Sequence, residues 1–121
     1  MKITTMTAEE KKDYNKLPSK YRDYYDFQKS LHPQWDHVQL IKRVGIQIKI
    51  DGFIDDGGDI DTPSFWEAVI KSVDEWFNTT FPNLYPKVKD VFKRAVMELT
   101  DMIKRGVKAI GDWLEKLLNS L

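Results

Sequence analysis

The chain has 121 residues, 41% of them hydrophobic and 12% aromatic, with 19 basic side chains, 19 acidic ones and no cysteine. A chain of this length is expected to form one domain, spanning 1–121, with a core of its own. The missing cysteines exclude disulfide scaffolds, zinc ribbons and thiol chemistry, and zero net charge argues against a general polyanion binder.

The first ten residues contain no apolar h-region, and no window reaches the ~18 unbroken apolar residues of a membrane span. A cytoplasmic location is the resulting expectation, with no membrane partner. Thr7 and Glu10 have the spacing of a capping box, which predicts a short helix stopping near Leu17-Pro18. Ser19 reads as the N-cap of a second helix over about 20–31, where Tyr21, Tyr24 and Tyr25 form an aromatic stripe.

Residues 33–44 read in two ways. As a helix, Trp35, Val38 and Ile41 share a face and Gly45 is the stop; as a strand, Val38 and Leu40 are in phase but Lys42 breaks the alternation. The helix is slightly favoured. Over 44–50, Val44, Ile46, Ile48 and Ile50 alternate with Gly45, Gln47 and Lys49, the period of a half-buried strand. Asp51-Gly52 follows as a two-residue hairpin signal, with a short return arm beginning at Phe53-Ile54.

Thr62-Pro63 opens another predicted helix, along which Phe65, Trp66, Val69, Ile70, Val73, Trp76 and Phe77 make a wide apolar stripe. After a loop over 78–86, the apolar positions Phe92, Val96, Leu99, Ile103, Val107, Ile110, Leu114, Leu117 and Leu121 keep a helical step. Gly106 and Gly111 interrupt them, so either the helix breaks near Gly106 or the glycines admit a close neighbour. The expected fold class is α+β and predominantly helical. It has about four to six helices and one short β-hairpin or single strand around residues 44–55.

Three groups of residues are candidates for function. Five aspartates and three glycines lie between Asp51 and Asp61 without a base, and carboxylates crowded on a turn can hold Ca²⁺ or Mg²⁺ through Asp55, Asp56, Asp59 and Asp61. The EF-hand pattern fails there, because Gly58, Ile60 and Asp61 occupy its third, fifth and sixth positions when Asp56 is first. Lys87, Lys89, Lys93, Arg94, Lys104, Arg105 and Lys108 face only Asp90, Glu98 and Asp101 as local acids, which suggests nucleic-acid contact; the interleaved acids favour a solvated helix face instead. His32, Asp36 and His37 lack metal-ligand spacing and read as surface or capping groups. No phosphate-binding glycine motif is present, and no serine has a recognisable base motif nearby.

The third candidate is the predicted strand. A two-stranded hairpin is marginal alone, so the edge carrying Val44, Ile46, Ile48 and Ile50 is expected to pair with another chain. The sequence therefore reads first as a non-enzymatic protein–protein interaction or assembly module, an oligomer or a small subunit of a larger complex. A divalent-metal protein or small metal-dependent enzyme is the alternative, and a nucleic-acid-associated accessory protein the second. No resident cofactor is expected apart from the Ca²⁺ or Mg²⁺ of the first alternative.

Overall fold

Three side-chain caps fix where helices begin. In the computed structural model, which describes residues 6–106 together with Ile110, Gly111, Trp113, Glu115 and Lys116, Thr7 caps α1 (Ala8–Asn15) through a reciprocal box with Glu10. Asp36 caps α3 (His37–Asp55) through a second box with Gln39, and the Thr62 hydroxyl accepts from the Phe65 amide to start α4 (Pro63–Thr80). The remaining helices, α2 (Ser19–Leu31) and α5 (Tyr85–Lys104), begin without a side-chain cap; Pro18, not Ser19, holds the N-cap position of α2.

The described residues are all-helical, which corrects the α+β expectation. No strand or hairpin exists among them around residues 44–55. Val44 to Ile50 and the Asp51-Gly52 pair lie inside the 19-residue α3. The physical reason is burial on several sides. Alternating apolar residues point to opposite faces of a strand, but on a helix they spread around the axis. A helix packed all round accepts that spread. Leu40, Ile41, Val44, Ile46 and Ile50 are all buried on α3, which sits between α2 and α4.

Consecutive helices run antiparallel and pack on one another in the order α2, α3, α4, α5. Tyr21 meets Asp51 while Tyr25 meets His37 across the first pair. Phe53 meets Phe65 while Gly45 meets Trp76 across the second. Tyr85 meets Asp74 while Thr100 meets Glu67 across the third. The predicted stripe of α4 supplies the centre of the core: Phe65, Trp66, Val69, Ile70, Val73 and Phe77 are buried, and Trp76 is half-buried beside them.

Gly45 lies in the interior of α3 rather than at a helix end. A Cβ built there would stand 2.5 Å from the Trp76 ring, so the missing side chain lets α3 and α4 approach closely. Gly106 has a different task. Its φ of +73° follows the last turn of α5, and a Cβ there would meet nothing, so it ends the helix through backbone conformation. Beyond it, Ile110 is buried and Trp113 reaches back, its ring edge-on to Trp66 and its indole N–H donating to Glu98 at 3.0 Å. Val107, Lys108, Leu114, Leu117 and Leu121 lie outside the described residues.

α1 contributes no buried residue. Polar and ring contacts attach it: the Tyr14 hydroxyl donates to Asp26 at 2.8 Å, its ring stands edge-on to Tyr25, and the Lys16 ammonium, just beyond the helix, donates to the Thr80 carbonyl at 2.9 Å.

Candidate functional site

The groove between α2 and α3 contains a connected set of polar side chains. Gln47 and Asp51 project from successive turns of α3, and Tyr21 and Tyr24 face them from α2. The Tyr21 hydroxyl donates to Asp51 at 2.7 Å, and the Gln47 amide donates to the other carboxylate oxygen at 2.9 Å. Gln47 in turn accepts from Arg43 Nη2 at 3.2 Å, and the guanidinium lies 5.4 Å from the Tyr24 ring centre. Arg43 Nη1 is buried and has no hydrogen-bond partner among the described residues. Burial lowers the guanidinium pKa, while Tyr24 and Asp51 act in the opposite direction.

Burial also works to raise the Asp51 pKa, but hydrogen bonds from Tyr21 and Gln47, with the charges of Lys20 and Arg43, overcome it and hold the carboxyl below its ordinary value. The same contact acts on Tyr21. Desolvation and the hydrogen bond to Asp51 push its phenol up to about 12 from 10.0. A raised phenol pKa means that folding favours the protonated form. The stability it contributes is complete below 10.0, the ordinary phenol value, and is lost as pH climbs towards about 12. Urea midpoints of the wild type and Tyr21→Phe, measured at rising pH, are expected to converge across that interval. A constant gap would show that the hydroxyl does not bear on Asp51.

Outside this network, one flank of α2 is apolar and open. Phe27 and Leu31, at i and i+4, remain 55% and 54% exposed. At the end of the helix, His32 stacks on Trp35 with ring centres 3.7 Å apart.

A second polar chain runs through the buried end of α3. His37 Nε2 lies 3.1 Å from Asp13 and Nδ1 lies 2.8 Å from the Tyr25 hydroxyl. An ionised carboxylate only accepts, so in the neutral ring Nε2 carries the proton and Nδ1 accepts from Tyr25. The order carboxylate–imidazole–hydroxyl resembles a nucleophile relay, but Tyr25 is 1% exposed and its phenol pKa is raised, chiefly by desolvation. A hydroxyl sealed in this way meets no substrate, so the chain acts as a strut between α1, α2 and α3. A cleft of about 280 Å³ adjoins it, lined partly by Glu9, Glu10, Asp36 and Lys87. Another, of about 330 Å³, lies beside Trp76, Lys49 and Glu75.

The sequence-derived candidates fall as follows. Val44, Ile46 and Ile50 are buried in the core and Ile48 is half-buried against it, so they form no edge. Asp55 ends α3, Asp56 caps it, and Asp59 and Asp61 stand in the exposed link to α4. Among the described residues no three His, Cys, Asp or Glu side chains gather as a metal cage. Lys87, Lys89, Lys93, Arg94, Lys104 and Arg105 are all exposed on or just beyond α5, and Arg105 is taken up by Asp101 at 2.8 Å. Lys108 lies outside the described residues. Asp36 is a cap and His37 a buried strut.

The Arg43–Gln47–Asp51 series is not among the sequence-derived candidates. Its i, i+4, i+8 spacing was a usable signal, though one visible only if 43–51 is read as a helix. Lys42 is likewise buried on α3, and burial lowers its pKa against the opposing pull of Asp36.

Fold and surface together define a small all-helical array whose exposed features are apolar flanks and charged faces. Among known proteins, no family, no characterised protein and no solved structure matches the chain. None of the helices, among the described residues, is long and apolar enough to cross a membrane.

Proposed function

We propose that this chain is a protein-interaction or assembly module that binds through surface shape rather than through bond chemistry. The observation that carries the reading is the open flank of α2. Phe27 and Leu31 sit on a helix whose inward face is already satisfied by Tyr25 and Gln28, yet both remain more than half exposed. Neighbouring large apolar side chains with no task in their own core are a common mark of a contact surface. The sheet edge foreseen from the sequence has no part in this reading, because its residues are core.

The test is affinity capture from a host lysate with the wild type and with Phe27→Asp/Leu31→Asp as bait. Exposed substitutions usually change stability by less than about 0.5 kcal/mol, so the melting curve is expected to hold. Proteins retained by the wild type and lost with the variant support the proposal. Identical retained sets would remove the α2 flank from it.

A further inference from the structure

The zero net charge of the chain is a sum over separated surfaces. On α5, Lys89, Lys93 and Met97 follow one another at i, i+4 and i+8, so they line one stripe. Both lysines are exposed, neither has an ion pair among the described residues, and Met97 is the most exposed large apolar side chain described, at 65%. Asp101 continues the same row one turn beyond Met97, where Arg105 engages it at 2.8 Å, and Asp90 lies beside the row, one residue after Lys89.

The acidic link between α3 and α4 has complementary properties. Asp55, Asp56, Asp59 and Asp61 are exposed and without a basic partner among the described residues, and Ile54 and Ile60 protrude beside them at 46% and 41% exposure. The link is held in shape from within. Trp66 Nε1 donates to the Ile60 carbonyl at 2.7 Å, the Thr62 hydroxyl donates to the Asp59 carbonyl at 2.9 Å, and the Asp61 amide donates to the Asp59 side chain at 3.0 Å. A loop fixed before binding loses little entropy when it docks.

The charges of these two surfaces do not serve each other within one chain. Lys93 is next to Phe92, whose ring contacts Phe77 near the end of α4, whereas the acidic link adjoins Thr62 at its start. The stretch of α4 from its start to Phe77 is about 22 Å long, against a screening length of about 8 Å at physiological salt.

We infer that the Lys89–Lys93–Met97 stripe docks the acidic 54–61 link of a second copy of this chain. The lysines face the aspartates, and Met97 covers Ile54 and Ile60. The contact joins two different surfaces, so it is heterologous and propagates from copy to copy until a ring closes or a filament grows. The inference rests on the assembly reading above but uses a surface separate from the α2 flank.

Analytical ultracentrifugation of the full chain tests it. The wild type is expected to exceed its 14.2 kDa monomer mass as concentration rises, and to return towards it at high salt. Lys89→Glu/Lys93→Glu and Asp55→Lys/Asp56→Lys are each expected to weaken self-association at least about tenfold. The aspartate pair is chosen because bases suit a helix C-terminus and the hydrogen bonds of the link are untouched. Circular dichroism checks that both variants remain helical.

Mixing the two variants is the decisive arm. Each retains the half of the contact that the other lacks, so the mixture should associate at one-to-one stoichiometry where neither variant does alone. Several outcomes would overturn the inference: a wild type that stays monomeric throughout, variants that associate like the wild type, or a mixture that fails to pair. So would a monomeric wild type that retains an oligonucleotide through the same lysines. Identical retained sets in the capture experiment would be a separate failure, that of the α2 flank alone, because neither charge variant touches Phe27 or Leu31.

Discussion

Phe77→Ala should remove roughly 3–5 kcal/mol of stability, a large share of the ~5–15 kcal/mol that holds a small domain together. Phe77 is fully buried, and its ring meets three others edge-on or tilted: Trp76 at 6.0 Å, Phe81 at 5.7 Å and Phe92 at 5.9 Å between centres. It therefore joins α4 to α5 and to the turn between them. Truncation removes the transfer energy of the ring and leaves a cavity whose aromatic walls cannot easily collapse. Chemical denaturation with both helical and tryptophan signals should show a much lower midpoint. A loss below about 1 kcal/mol would mean that the aromatic cluster is looser than these distances imply.

The second large effect is expected at Gly45. In an exposed helix, replacing glycine by alanine gains about 1 kcal/mol. At this position the new methyl would overlap the Trp76 ring, which Phe77 and Phe81 hold from other sides. Overpacking of this kind typically costs ~1–3 kcal/mol, so Gly45→Ala should destabilise despite its better helix propensity. Gly45→Ala combined with Trp76→Ala separates the two contributions. Once the ring is gone, the alanine should stabilise relative to Trp76→Ala alone. A destabilising alanine in both backgrounds would refute the close approach of α3 and α4 as the cause.

These positions also show what the sequence could and could not convey. The α4 stripe from Phe65 to Phe77 was legible because one face of that helix is buried, and a one-sided helix writes its period into the chain. The Thr7 box and the Thr62-Pro63 start were legible for a local reason, since capping involves residues only three apart. α3 was misread because its apolar residues serve two neighbours, and the period of either face alone is hidden by the other.

One local signal would have corrected the misreading. Asp36 and Gln39 have capping-box spacing, and a helix started there runs naturally through Val44. Asp51-Gly52, a strong turn pair after a strand, carries no such meaning inside a helix, where Asp51 instead turns towards Tyr21 and Gln47. The acidic link was recognisable as a charged turn, whereas its distance from the α5 lysines depends on how α4 separates them. The α2 flank could not have been marked as exposed from spacing alone, because the tyrosine stripe beside it is equally apolar in sequence.

Packing chiefly between consecutive helices has a kinetic consequence. Bringing α3 against α4, or α4 against α5, requires closing only the short link between them, and the entropy of closure grows with the logarithm of loop length. A chain whose contacts are this local belongs with the low-contact-order helical proteins, which refold in microseconds to milliseconds. Each docked pair is also a template for the next, so the array can assemble from its middle outwards, with α1 arriving last because it has nothing of its own to bury.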